Sequence, residues 1–297
     1  MNKTIFKGTC TAAITPFTPY GIDFDALGKQ IEYQIQNGID ALCILGTTGE
    51  APTINDFEYE QVAKFSYDKI AGRVKFILGS GSNCTKKAIE KSQLAQKIGA
   101  DGLLVVTPYY NKCTQKGLVK YYNDICDNVD IPVLCYNVPA RTGVNILPQT
   151  MEEIAQHKNI GGIKEACGNM EQICETARRI RGKTALYSGD DNLNLAMLSI
   201  GSLGLISVAS NIAPKEVGDV ARFYFEGRNK EATILQERLL PLIDQMFTEV
   251  NPIPVKKAAE LIGLGSGYVR APLTELEPEH TASLIAVLKD FGFDIKG

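Results

Sequence analysis

The chain alternates short apolar, β-branched runs with amphipathic stretches, and it does so eight times. The runs that read as strands cover residues 8–15, 40–46, 75–79, 102–107, 131–137, 161–164, 185–189 and 203–208. Most are continuously hydrophobic rather than alternating, which implies burial on both faces and hence parallel pairing. Their starts fall 18 to 35 residues apart. That is the spacing of βα units, and eight such units close a barrel. Between them, Phe24, Leu27, Ile31 and Ile35 step by three or four, Asn55 with Glu58 matches a capping box, and Pro214 suits a first helical turn. The expected fold is α/β, a (β/α)8 TIM barrel over residues 1–226 that carries the site, with appended C-terminal helices over 227–297. That extension is broken by Asn251-Pro252-Ile253-Pro254 and by Gly263, Gly265 and Gly267. Its expected role is packing over the barrel or between subunits. A doubly wound nucleotide fold competes, but Gly79-Ser80-Gly81 is followed by Cys84 where a third glycine should stand, and Ala177 replaces the leading glycine of a P-loop before Gly182-Lys183-Thr184.

Composition narrows the chemistry. The 297 residues carry 31 basic and 34 acidic side chains, net −3, which leaves no cationic excess for a polynucleotide. Only two histidines are present, His157 and His280, so a multi-histidine metal site cannot be assembled and a Ser-His-Asp triad has few candidates. The eight cysteines include no CxxC pair and mostly sit in apolar stretches, which predicts small buried hydrophobes in a reducing compartment. Lys3 and Lys7 lie in a start without the apolar run of a signal peptide, and a cytoplasmic location is expected. Residues 192–214 lack charge, but ten of them are Asn, Ser, Gly or Pro. They read as a buried helix and strand, not a membrane span.

Reactive groups of such barrels sit at the C-terminal ends of strands. Lys164 ends the sixth run. A free lysine titrates near 10.4, so only about one amine in a thousand is the neutral nucleophile at pH 7, and burial raises that fraction. Lys164 is either a Schiff-base nucleophile or a rim lysine snorkelling to water. Tyr136 ends the preceding run, 28 positions earlier, and could shuttle protons through hydroxyls such as Thr47, or simply present a wet tip at the rim. Gly46-Thr47-Thr48-Gly49 offers hydroxyls and backbone N–H groups to a small carboxylate, although these are also common turn residues. Arg141, after the Val138-Pro139 bend, can clamp a second carboxylate bidentately or remain a solvated loop arginine.

Gly46-Thr47-Thr48-Gly49-Glu50, Tyr136-Asn137-Val138-Pro139 and Gly162-Ile163-Lys164-Glu165, in this order and spacing, resemble the pyruvate-dependent class I aldolase family of dihydrodipicolinate synthases and N-acetylneuraminate lyases. The resemblance spans Gly8 to about Pro214. Thr47 and Arg141-Thr142-Gly143 resemble the synthase branch, whereas lyases usually carry Ser at the first position and lack the arginine. The resemblance implies a lyase of lysine and diaminopimelate biosynthesis that joins pyruvate to aspartate semialdehyde through an imine on Lys164. It implies a proton relay of Tyr136, Thr47 and Tyr110, with Tyr110 reaching a neighbouring subunit of a homotetramer. Thr47 and Thr48 would hold the pyruvate carboxylate, and Arg141 that of the aldehyde. Gly189 and Ile206 match positions lining the pocket floor through backbone atoms. No metal or organic cofactor is implied, because the lysine imine is the electron sink. A sibling lyase acting on sialic acid or a sugar acid is the alternative, and a non-catalytic keto-acid-binding barrel is a third reading. Lysine-inhibited members bind the end product with His, Asn, Glu and Tyr. Here Asn83 and Tyr109 match, but Asp56 replaces His and Lys87 replaces Glu. A cation at 87 repels an ammonium group, so weak or absent feedback is expected.

Overall fold

The computed structural model describes residues 4–296, and a strand coincides with each of the eight expected runs. These are β1 (Gly8–Ala12), β2 (Ala41–Ile44), β3 (Lys75–Gly79), β4 (Gly102–Val106), β5 (Val133–Asn137), β6 (Ile160–Glu165), β7 (Ala185–Ser188) and β8 (Gly204–Ser207). They hydrogen-bond around a closed barrel in chain order, with parallel pairing. The helices that follow the strands are α1 (Phe24–Gln36), α2 (Asp56–Ile70), α3 (Thr85–Ile98), α4 (Gln115–Cys126), α5 (Pro148–Ile154), α6 (Met170–Ile180), α7 (Asn194–Ser199) and α8 (Pro214–Phe225). Three more complete the chain: α9 (Asn229–Gln245), α10 (Ile253–Leu261) and α11 (Pro278–Phe291). The fold is a (β/α)8 barrel with appended C-terminal helices.

The local signals act as sequence physics requires. Asn55 and Glu58 exchange both hydrogen bonds of a capping box at the start of α2, and Pro214 occupies the first turn of α8. Strand ends are trimmed by backbone geometry. Residue Leu45 takes φ 58° and ends β2, while Pro132, which has no N–H to give a ladder, delays β5 to Val133. Gly204 has φ 154°, and a Cβ there would stand 1.7 Å from the Gly8 carbonyl oxygen, so only glycine permits this approach. A short antiparallel hairpin, Phe17–Thr18 with Gly21–Ile22, follows β1 and was not anticipated from the sequence.

By internal contact the chain falls into two compact units. One joins the segment ending at Gly8 to Lys75–Ile206, and the other joins Thr9–Val74 to Ser207–Gly297. Residue 226 marks a different transition, where βα alternation gives way to successive helices. In the 192–214 segment, Asn194, Met197 and Leu198 of α7 are buried and β8 is buried throughout. Among the described residues no helix is long and apolar enough to cross a membrane. Lys3 lies outside the described residues.

The cysteine expectation is corrected in part. Cys10, Cys43, Cys126 and Cys135 are buried, but Cys113 and Cys167 are half-buried and Cys84 and Cys174 are exposed. Apolar neighbours misled because a helix turns about 100° per residue. Cys174 adjoins buried Ile173, yet the covered stripe of α6 continues through Thr176, Ala177 and Ile180.

Candidate active site

Three adjacent strands of the first unit build the centre of the site. The register of β5 and β6 sets Tyr136 beside Lys164, and that of β6 and β7 sets Lys164 beside Tyr187. Lys164 is 5% exposed, and its Nζ lies 4.4 Å from the centroid of the Tyr136 ring. Among the described residues this amine has no ion-pair partner. The snorkelling alternative therefore fails on burial. Gly189, just beyond β7, explains how the stem fits: a Cβ there would come within 2.9 Å of Lys164 Cε, 3.0 Å of its Cγ and 2.8 Å of Ala166 Cβ. Any side chain at 189 would force Lys164 or Ala166 to shift. The arrangement can present a sheltered amine beside a phenol, the pairing needed for addition to a carbonyl with nearby proton transfer.

Behind the lysine, Glu165 is fully buried and accepts hydrogen bonds from Asn137 Nδ2 at 2.9 and 3.1 Å and from the Cys167 N–H at 2.9 Å. Burial pushes its carboxyl above the usual range, with the hydrogen bonds opposing. Asn137 Oδ1 accepts from the Ile146 N–H at 2.9 Å. Asn137 and Glu165 are register partners, one position beyond Tyr136 and Lys164. Alternating strand direction thus lets one pair lock the register that the other pair uses. From the sequence alone neither residue has an assigned role. Their signal was a carboxylate and an amide where two apolar runs end. Burial pushes the neighbouring Cys167 thiol up to about 12, with Glu165 adding to the shift. That leaves it protonated and poorly nucleophilic at neutral pH.

The loop after β5 forms a short helical turn, Pro139–Thr142, closed by Gly143 at φ 70°. Thr142 Oγ1 accepts from Thr107 Oγ1 at 3.0 Å and donates to the Val144 carbonyl at 3.0 Å, which anchors the turn that exposes Arg141. Tyr110 is 92% exposed and takes φ 65°, a costly conformation for an aromatic residue. Ile206 is fully buried in β8.

In the second unit, the 46–50 turn follows β2 between two left-handed residues, Leu45 at φ 58° and Glu50 at φ 54°. Such backbone costs about 1–3 kcal/mol per residue and persists only where surroundings enforce it. Thr15 Oγ1 donates to the Gly49 carbonyl at 2.8 Å, and the Glu50 N–H donates to the Thr47 carbonyl at 3.0 Å. Thr47 is half-buried, whereas Thr48 is buried and its hydroxyl accepts from Asn251 Nδ2 at 3.0 Å. In the sequence Asn251 belongs only to a proline-broken segment, and nothing local ties it to position 48.

The family model for the dihydrodipicolinate synthetase family matches residues 5–291, nearly the whole chain. The chain belongs to that family. Its relatives in the dihydrodipicolinate synthetase family include a 4-hydroxy-tetrahydrodipicolinate synthase of Caldicellulosiruptor saccharolyticus, 46% identical over 293 residues, covering 98% of this chain and 99% of the relative. The dihydrodipicolinate synthase of Aquifex aeolicus superposes with a TM-score of 0.96 at 42% identity, covering 98% of this chain and 100% of that one. A chloride-inhibited dihydrodipicolinate synthase of Acinetobacter baumannii, solved in complex with pyruvate, gives a TM-score of 0.95 at 38% identity over 97% of this chain and 99% of the other.

Proposed function

We propose that the chain condenses pyruvate with aspartate 4-semialdehyde, the step carried out by 4-hydroxy-tetrahydrodipicolinate synthases in lysine and diaminopimelate biosynthesis. The observation that carries this reading is the buried Lys164 amine beside the Tyr136 ring, its stem housed by Gly189. Lys164 Nζ adds to the ketone carbon of pyruvate, and the resulting carbinolamine loses water to give an imine. Loss of a methyl proton converts the imine to an enamine, whose carbon attacks the aldehyde and leaves a hydroxyl. The amine of the former semialdehyde then adds to the imine carbon, expels the lysine and closes the ring. The protonated imine is the electron sink throughout, so these steps call for no metal or organic cofactor.

Tyr136, Thr47 and Tyr110 are the proposed proton relay, and the exposed, left-handed backbone of Tyr110 supports its insertion into a neighbouring subunit of a homotetramer. Thr47 and Thr48 receive the pyruvate carboxylate, Arg141 receives that of the semialdehyde, and Gly189 and Ile206 contribute the pocket floor. Residues 1–226 are proposed as the catalytic barrel and 227–297 as its helical extension, in a cytoplasmic enzyme. The alternative, a lyase for sialic acid or a sugar acid, is disfavoured by the synthase relatives and by Arg141, which suits a short aldehyde bearing a carboxylate. Turnover with pyruvate and aspartate semialdehyde, set against cleavage of N-acetylneuraminate, tests the assignment. Activity on the first alone is expected, and cleavage of the second alone would reverse it.

A further inference from the structure

The second unit holds another buried lysine, and it is built differently from Lys164. Lys256, on α10, is fully buried and donates to Glu50 Oε1 at 2.6 Å and to the Thr15 carbonyl at 2.9 Å, with its amine 4.2 Å from the centroid of the Phe17 ring. Both partners belong to the 46–50 turn or grip it. Glu50 is the turn's left-handed last residue, and Thr15 is the residue whose hydroxyl holds Gly49. The other Glu50 oxygen accepts from the Arg270 N–H at 3.0 Å, and the Arg270 guanidinium lies on Phe17 and pairs with Glu58. Five residues before Lys256, Asn251 donates to the Thr48 hydroxyl oxygen, which leaves that hydroxyl's own proton to point elsewhere.

Stability alone is a poor reason for such a cluster. A buried ion pair often does no better than apolar residues of the same volume, because desolvating both charges offsets their attraction. Burial pulls the Lys256 amine down to about 8, with Glu50 opposing the shift and Arg270 adding to it. Carrying the charge therefore costs the fold something. The turn it serves is strained at both ends, and strained backbone needs an external clamp.

We propose that Lys256, through Glu50 and Thr15, and Asn251, through Thr48, are positioning residues that set the 46–50 turn to receive the pyruvate carboxylate. The proposal rests on the assignment of Thr47 and Thr48 as that receptor. It gives the Asn251-Pro252-Ile253-Pro254-Val255-Lys256 segment a substrate-affinity role that packing over the barrel does not.

The test uses the double variant Glu50→Gln/Lys256→Met, which removes both charges at nearly constant volume, and the single variant Asn251→Ala. Three quantities are read: the urea midpoint, the pyruvate concentration that half-saturates borohydride-trapped adduct on Lys164, and kcat at saturating pyruvate. The double variant is expected to unfold at or above the wild-type midpoint, with half-saturation raised about tenfold and kcat changed about threefold or less. In Asn251→Ala, half-saturation is expected to rise about fivefold, the worth of one lost hydrogen bond. Loss of folding in the double variant, or wild-type half-saturation in variants that fold, would overturn the proposal. Absence of any adduct in the wild type would instead overturn the reading of the site on which it stands.

Discussion

Two lysines of this chain, Lys164 and Lys256, are buried in opposite surroundings. Lys256 is held by a carboxylate and a carbonyl, whereas Lys164 has a phenol ring beside it and no ion-pair partner among the described residues. Gly189 is the residue that makes room for the second arrangement. Gly189→Ala would force Lys164 Cε or Ala166 to move by several tenths of an ångström, because the new Cβ meets them at 2.9 and 2.8 Å. A fall in kcat of about tenfold is expected, since a misplacement of about 1 Å costs about a hundredfold and this one is smaller. The urea midpoint should drop only modestly. An alanine variant with wild-type turnover would show that the lysine is not so confined. The pairing of Tyr136 with Lys164 across adjacent strands was legible in the sequence because polar side chains that end apolar runs stand out. The space that Gly189 leaves for the lysine stem was not legible, because the neighbour that a glycine spares is visible only in three dimensions.

At the scale of elements, the strands and helices follow from local signals, and the loops between them do not. The capping box of α2 and the first-turn proline of α8 formed as read, but the left-handed ends of the 46–50 turn fall on Leu45 and Glu50, residues with no propensity for that backbone. The sequence carries turn chemistry where glycine marks it, and is silent where tertiary clamps impose it. The expectation of weak or absent feedback by lysine rests on residues at two element ends. Asp56 lies exposed in the first turn of α2, where a carboxylate is favoured by the helix N-terminus, and Lys87 is exposed near the start of α3. Neither is the His or the Glu that the family resemblance implies for a lysine-binding site. Steady-state rates should be unchanged by submillimolar lysine, and half-inhibition in that range would refute the expectation.

For the whole molecule, the eightfold repeat announced the barrel because strands covered on both faces write continuous hydrophobic runs. The division into two contact units was not legible, since each unit draws on segments far apart in the chain. Nor was the part played by the C-terminal helices, because a lysine within a helical stretch gives no local sign that its helix buries that face. Lys256 also sets the sign of one contribution to global stability. Its amine titrates at about 8 in the folded chain, against about 10.4 when exposed. Between those values the unfolded chain keeps a proton that the native chain has released, so this contribution rises as pH climbs through the window. Compared with Lys256→Met, the wild type should gain stability in urea between about pH 7.5 and about pH 10. A relative loss would mean that the amine is more basic than its burial requires.

The most direct test is reductive trapping. Protein incubated with pyruvate and borohydride, digested and mapped by mass spectrometry, should carry a single stable adduct on the peptide containing Lys164, and Lys164→Ala should carry none while losing turnover. Recovery of unmodified Lys164 from protein that still turns over its substrates, or an adduct at another lysine that persists in Lys164→Ala, would contradict the account.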